Sequence, residues 1–68
     1  MATSSIKDKD YDLISAIYHA AQSDYSCKQY MEDAKKSGDD DAARFFQEVS
    51  EHNQQLINKG KALMKKRL

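Results

Sequence analysis

The chain has 68 residues, with 11 basic and 11 acidic side chains balanced to a formal charge of zero, and 40% of its residues are hydrophobic. This length holds one small domain at most, and a neutral chain is a poor general nucleic-acid binder. Cys27 is the only cysteine, so no disulfide can form within one chain. The simple expectation is a reducing, cytoplasmic setting, with oligomerisation or a metal as the added source of stability.

Charge is unevenly spread. Residues 1–41 carry nine acids and five bases, a net of −4, and residues 42–68 carry two acids and six bases, a net of +4. Two antiparallel helices would set Asp8, Asp10 and Asp12 beside Lys65, Lys66 and Arg67, which makes the asymmetry internal complementation and also suits the helix dipoles. No run is apolar enough to span a membrane.

The start, Met1-Ala-Thr-Ser-Ser5, lacks the charged and hydrophobic regions of a secretory signal and reads as a flexible arm over 1–7. Ser5-Ile6-Lys7-Asp8 is a capping-box pattern, with Asp10 as a second candidate cap. Proline is absent and glycine occurs twice, so a helix can run from about 8 to 36 without a breaker. Its seam is Leu13, Ile17, Ala20, Asp24, Cys27, Met31 and Ala34, the alternating four- and three-residue spacing of a helix packed on a helix. Asp24 sits mid-seam, where a charge needs a partner. Ser37-Gly38 ends the helix, glycine being the usual residue for the left-handed position beyond a helix end.

The turn is expected at 37–39, with Asp39 or Asp40 capping a second helix that runs from about 40 to 67. Its expected seam is Ala42, Phe46, Val49, Asn53, Leu56, Gly60 and Leu63, with a flanking row of Phe45, Val49, His52 and Leu56. Gly60 inside a helix is costly by about 1 kcal/mol against alanine. It marks either a close approach of a partner helix or a weak point near a fraying end. So short a turn permits only an antiparallel neighbour. Folding about Gly38 sets Ala34 against Ala43, Met31 against Phe46, Asp24 against Asn53, Ile17 against Gly60 and Leu13 against Met64. Apolar meets apolar at most levels and the polar levels coincide, so two independently read seams agree on a hairpin.

Apolar surface is left over. Tyr11, Tyr18 and Tyr25 recur every seven residues and form a second stripe with Ile14 and Ala21, while Phe45 adds to the surplus on the second helix. One partner helix cannot cover this, but two hairpins packed face to face can. The expected architecture is an all-α antiparallel helical hairpin that dimerises into a four-helix bundle, with Tyr11, Ile14, Tyr18, Ala21, Tyr25 and Phe45 as interface. Tyrosine suits an interface because its ring buries while its hydroxyl stays wet.

Asp24, His52, Asn53 and Glu48 admit two readings. Carboxylates and an imidazole on facing helices can hold divalent iron, manganese or zinc, with Asp24, Glu48 and His52 as ligands doubled across a dimer. The same residues can instead form a buried polar layer that fixes register. His19 falls on a solvated row with Ser15, Gln22, Ser26 and Gln29. Cys27 reads as a buried inert thiol. The basic tail Lys59, Lys61, Lys65, Lys66 and Arg67 lacks interleaved aromatics, which disfavours nucleic acid.

The stretch Gly38-Asp-Asp-Asp-Ala-Ala-Arg-Phe-Phe-Gln-Glu-Val-Ser-Glu-His52 resembles the second helix of a ferritin-like or rubrerythrin-type hairpin, with its acidic turn, aromatic pair and Glu/His-rich helix. Helix 1, with an inward carboxylate at Asp24, resembles the partner helix of that family. The resemblance implies half of a four-helix bundle, with His52 and Asp24 at ligand positions. In that family a Glu precedes the ligand His by three residues, and here Val49 stands there. From the surplus apolar stripe and the lack of a complete catalytic set, the expected function is a non-enzymatic helical protein that associates with itself and with another protein. The alternative is a ferritin-like metal-binding protein.

Overall fold

The structure is a computed structural model that describes residues 8–67. The expected arm at 1–7 and its capping box lie outside the described residues. Two α-helices, α1 (Asp8–Lys36) and α2 (Asp40–Arg67), pack antiparallel along their length. The molecule measures 49 × 22 × 11 Å. Its smallest dimension equals the thickness of a single helix, so the hairpin is one layer deep. No described helix is long and apolar enough to cross a membrane.

The turn is built from backbone hydrogen bonds that the sequence specifies. Gly38 adopts a φ of 75°. Its N–H donates to the Lys35 carbonyl at 3.1 Å, and the Asp39 N–H donates to the Ala34 carbonyl at 2.9 Å. This pair of bonds is the Schellman arrangement, which satisfies carbonyls orphaned at the end of α1. The Ser37 hydroxyl also donates to the Ala34 carbonyl, at 3.0 Å. Asp39 then caps α2, its carboxylate accepting from the Ala42 N–H at 3.0 Å. Acids at Asp40 and Asp41 open α2, and bases close both helices at Lys35–Lys36 and Lys65–Arg67. Each placement favours the helix dipole.

The seam of α1 runs through the expected row. Cys27 and Ala34 are buried, and Leu13, Ile17, Ala20, Asp24 and Met31 are half-buried. The seam of α2 is rotated from the expected one. Ala43, Ser50, Asn53 and Gly60 are its buried residues, with Ala42, Phe46, Val49, Ile57 and Met64 half-buried beside them, so five of the seven expected positions do face the seam. Leu56 and Leu63, expected inside, are 44% and 41% exposed. Two rows share Phe46, Asn53 and Gly60, and spacing alone does not choose between them. Helix approach does. Ala43 and Ser50 are small and lie at the level of Ala34 and Cys27, so turning that row inward lets the backbones close up.

Gly60 is a point of close approach. A methyl group built there would lie 2.8 Å from Ile17 Cδ1 and closer still to Cγ1, so Ile17 fills the space that a side chain at 60 would need. At the open end Arg67 approaches Asp10 at 3.6 Å, an ion pair too long for a hydrogen bond. At the turn end the Tyr30 ring lies across Phe46, centroids 5.4 Å apart, and Phe46 meets Phe45 at 5.6 Å.

The two glycines give separate expectations. Nothing lies within 4 Å of a Cβ at Gly38, so the cost of Gly38→Ala is one of backbone conformation alone. It should destabilise by about 1 kcal/mol in urea unfolding, with Gly38→Asn in between. Gly60→Ala gains about 1 kcal/mol of helix propensity, but overpacking against Ile17 costs roughly 1–3 kcal/mol, so it should lower the melting temperature. In an Ile17→Ala background the steric penalty is gone, and the same substitution should raise it.

Candidate functional site

Two features stand apart from ordinary helix packing: a polar layer across the middle of the seam, and apolar surface left on both faces of the hairpin.

The polar layer is made of four residues. The Ser50 hydroxyl donates to the Asp24 carboxylate. The Asn53 side-chain amide donates to the Ser23 hydroxyl at 3.0 Å. Ser50 and Asn53 are buried, and Ser23 and Asp24 half-buried. A buried carboxylate or amide without a partner costs several kcal/mol in order of magnitude, so the two bonds are what permits these residues at the centre. They link the helices reciprocally. Asp24 and Asn53 share a level, as the register requires, yet each is bonded to a serine rather than to the other.

Both serines escaped the sequence reading. Ser50 precedes Asn53 by three residues, a spacing that places both on one side of a helix, and that signal was present. Ser23 lies one row outside the seam of α1, and only the structure brings it to Asn53.

The expected metal ligands do not come together within one hairpin. Asp24 is taken up by Ser50. His52 and Glu48 are exposed. Ser50 and His52 are two residues apart, about 200° around the helix, so His52 lies on the opposite side of α2 from the residue that meets Asp24. No three His, Cys, Asp or Glu side chains among the described residues converge in a way that would hold an ion. These donors, as one hairpin arranges them, do not fit a ferritin-like centre.

The expected interface residues divide between two faces. On one, Phe45 continues the α2 row of Val49, Leu56 and Leu63. There Leu56, Lys59, Gly60 and Leu63 join Leu13, Ala16, Ile17 and Ala20 around a groove of about 330 Å³. On the other face Ile14 and Ile17 join Lys61, Met64 and Lys65 around a groove of about 660 Å³. Helical spacing puts Tyr11, Tyr18, Ala21 and Tyr25 on the Ile14 side. Tyr18 and Tyr25 are 58% and 81% exposed, and Phe45 is 61% exposed. Ile17 stands between the grooves and lines both. Cys27, at 4% exposure, is closed off in the seam.

Deleting one member of the Asp24–Ser50 pair should hurt more than replacing both. Ser50→Ala strips the carboxylate of its donor and should destabilise by roughly 1–3 kcal/mol. Ser50→Ala combined with Asp24→Leu removes the unsatisfied group and should recover most of that loss. Urea denaturation of the two singles and the double, read as a thermodynamic cycle, measures the coupling.

No protein-family model, no curated protein and no solved structure matches this chain.

Proposed function

We propose that this chain is a small non-enzymatic helical protein that works by association: with a second copy of itself, giving a four-helix bundle from two hairpins, and with another protein through the surface left over. The observation that carries this reading is the distribution of its apolar mass. The buried hydrophobic residues of the hairpin are Cys27, Ala34 and Ala43, all small, and among the described residues no large side chain is fully buried. Tyr18, Tyr25, Phe45, Leu56 and Leu63 all stand substantially in solvent. A layer one helix thick leaves both of its faces to water, whereas stable helical domains close such faces against further helices. Exposed apolar rows of this length are what interaction surfaces are made of.

Chemistry favours the same reading. Among the described residues no cluster of titratable side chains lies in either apolar groove, whose polar contributions are the lysines at their rims. A groove of aliphatic side chains offers contact area and no proton transfer or nucleophile.

Sedimentation equilibrium of the full chain at micromolar concentration should give the mass of two chains, with a melting temperature that rises with protein concentration. A folded monomer whose melting is independent of concentration would overturn the proposal.

A further inference from the structure

The two faces differ in a way that selects one of them for the second copy. On the Leu56 face the α2 row from Phe45 to Leu63 extends about 27 Å at 1.5 Å per residue. α1 supplies apolar neighbours to this face at the open end, through Leu13, Ala16 and Ala20, and at the turn end only through the Tyr30 ring that lies across Phe46. Towards the turn the α1 residues on the same side are Ser23, Ser26 and Tyr30, as helical spacing requires. The ridge therefore belongs to α2. Laid against α1 of another copy, the middle of the ridge would meet Ser23 and Ser26. Laid against α2 of another copy, ridge meets ridge.

Charge points to the same pairing. Residues 40–53 carry four acids and one base, a net of −3, and residues 54–67 carry five bases and no acid, a net of +5. Within one hairpin this asymmetry is largely unused: among the described residues α2 makes salt bridges only from Arg44 to Asp41 and from Arg67 to Asp10. Glu48 and Lys59, which flank this ridge, take part in neither, while Lys61 and Lys65 line the opposite groove. An antiparallel copy of α2 places each acidic half beside a basic half, twice over by symmetry. α1 has no comparable asymmetry, since residues 8–22 carry a net of −2 and residues 23–36 a net of zero.

We propose that a second copy of this chain docks on the Leu56 face, with α2 antiparallel to α2 about a two-fold axis near His52 and Leu56. This rests on the self-association reading above and adds the face and the register. Full overlap of the two helices brings Phe45 to the level of the partner's Leu63, His52 to the partner's Leu56, and Glu48 to the partner's Lys59. The interface is isologous, so each pairing occurs twice. Lys59 lays its aliphatic stem along the ridge while its ammonium reaches the rim and the facing carboxylate. The tyrosine face of α1 stays outside the contact.

The test uses the full chain and measures the dimer dissociation constant by sedimentation equilibrium. Leu56→Lys should weaken the dimer by about 30-fold or more, as removal of a central apolar anchor does. Tyr18→Lys should leave it near the wild-type value. Glu48→Lys and Lys59→Glu should each weaken it about five-fold, two exposed ion pairs being lost per dimer. The double reversal Glu48→Lys with Lys59→Glu should restore it. That rescue distinguishes a direct contact from damage to the fold, because both residues are exposed in the hairpin and lie too far apart on α2 to touch each other. A dimer that survives Leu56→Lys and dissociates with Tyr18→Lys, or a double reversal no better than the singles, would overturn this face while leaving self-association standing. A wild-type monomer would remove both.

Discussion

A hairpin of two helices has a single seam, and everything else about this protein depends on what fills it. Each helix can turn only one stripe towards the other, and whatever is not on that stripe stands at a face or an edge. Among the described residues the buried positions are Cys27, Ala34, Ala43, Ser50, Asn53 and Gly60. These are small or polar residues, so the seam brings the backbones close without sequestering much apolar area. Burial stabilises by about 25 cal/mol per Å² of apolar surface, and alanine, serine and glycine have little of it to give. The larger side chains that would provide it lie along the flanks. Tight approach of the two helices and incomplete burial are thus one fact, and the proposed bundle is the arrangement that reconciles them.

The polar layer acts on geometry more than on stability. Asp24 of α1 accepts from Ser50 of α2, and Asn53 of α2 donates to Ser23 of α1. Each helix has one residue reaching across on either side of the seam. A slide of α1 along α2 breaks both bonds, and so does a rotation of either helix. Apolar packing by itself tolerates such movements, because leucine and methionine repack with modest loss. A hydrogen-bonded pair in a half-buried place does not. The Gly60–Ile17 contact adds a steric stop at the open end, and the Schellman turn holds the other end. Register is therefore fixed at three places along a narrow seam.

What could be read from the residues follows from these causes. The helix ends and the turn were legible because Gly38 and Asp39 act through local backbone chemistry. The antiparallel register was legible because Asp24 and Asn53 are conspicuous in otherwise apolar rows, and Ile17 does meet Gly60 as that register required. The rotation of α2 was not. A row of Leu56 and Leu63 looks more like a core than a row of Ala43, Ser50 and Ile57, and hydrophobicity favours the former. The outcome turned on how near the helices come, a property of side-chain size summed over both helices that no single row displays. The same rotation explains why His52 and Asp24 part company: turning Ser50 inward carries His52 outward. Phe45 and the tyrosines, expected in one interface, fall on opposite faces of the hairpin.

The rotation leaves the molecule with two unlike faces, and their difference bears on how each is covered. The Leu56 face carries Phe45, Val49, Leu56 and Leu63 along its ridge, flanked by Glu48 and Lys59, which would complement each other across the proposed two-fold axis. Such a surface gains most from complete, dry burial and from a partner that repeats its pattern. The opposite face has three phenol rings in heptad register around Ile14, with Lys61 and Lys65 at the groove's rim. Tyrosine hydroxyls and lysine ammoniums stay hydrated while their carbon parts make contact. A face of that composition tolerates water when bare, and under the proposed reading the basic groups at its edge would favour an acidic partner. A tyrosine ridge buried in a homodimer would leave the aliphatic one in water, the less stable division of the same surface. With the aliphatic ridge closed by a copy, the exposed remainder is the part of this chain best suited to water and to a protein other than itself.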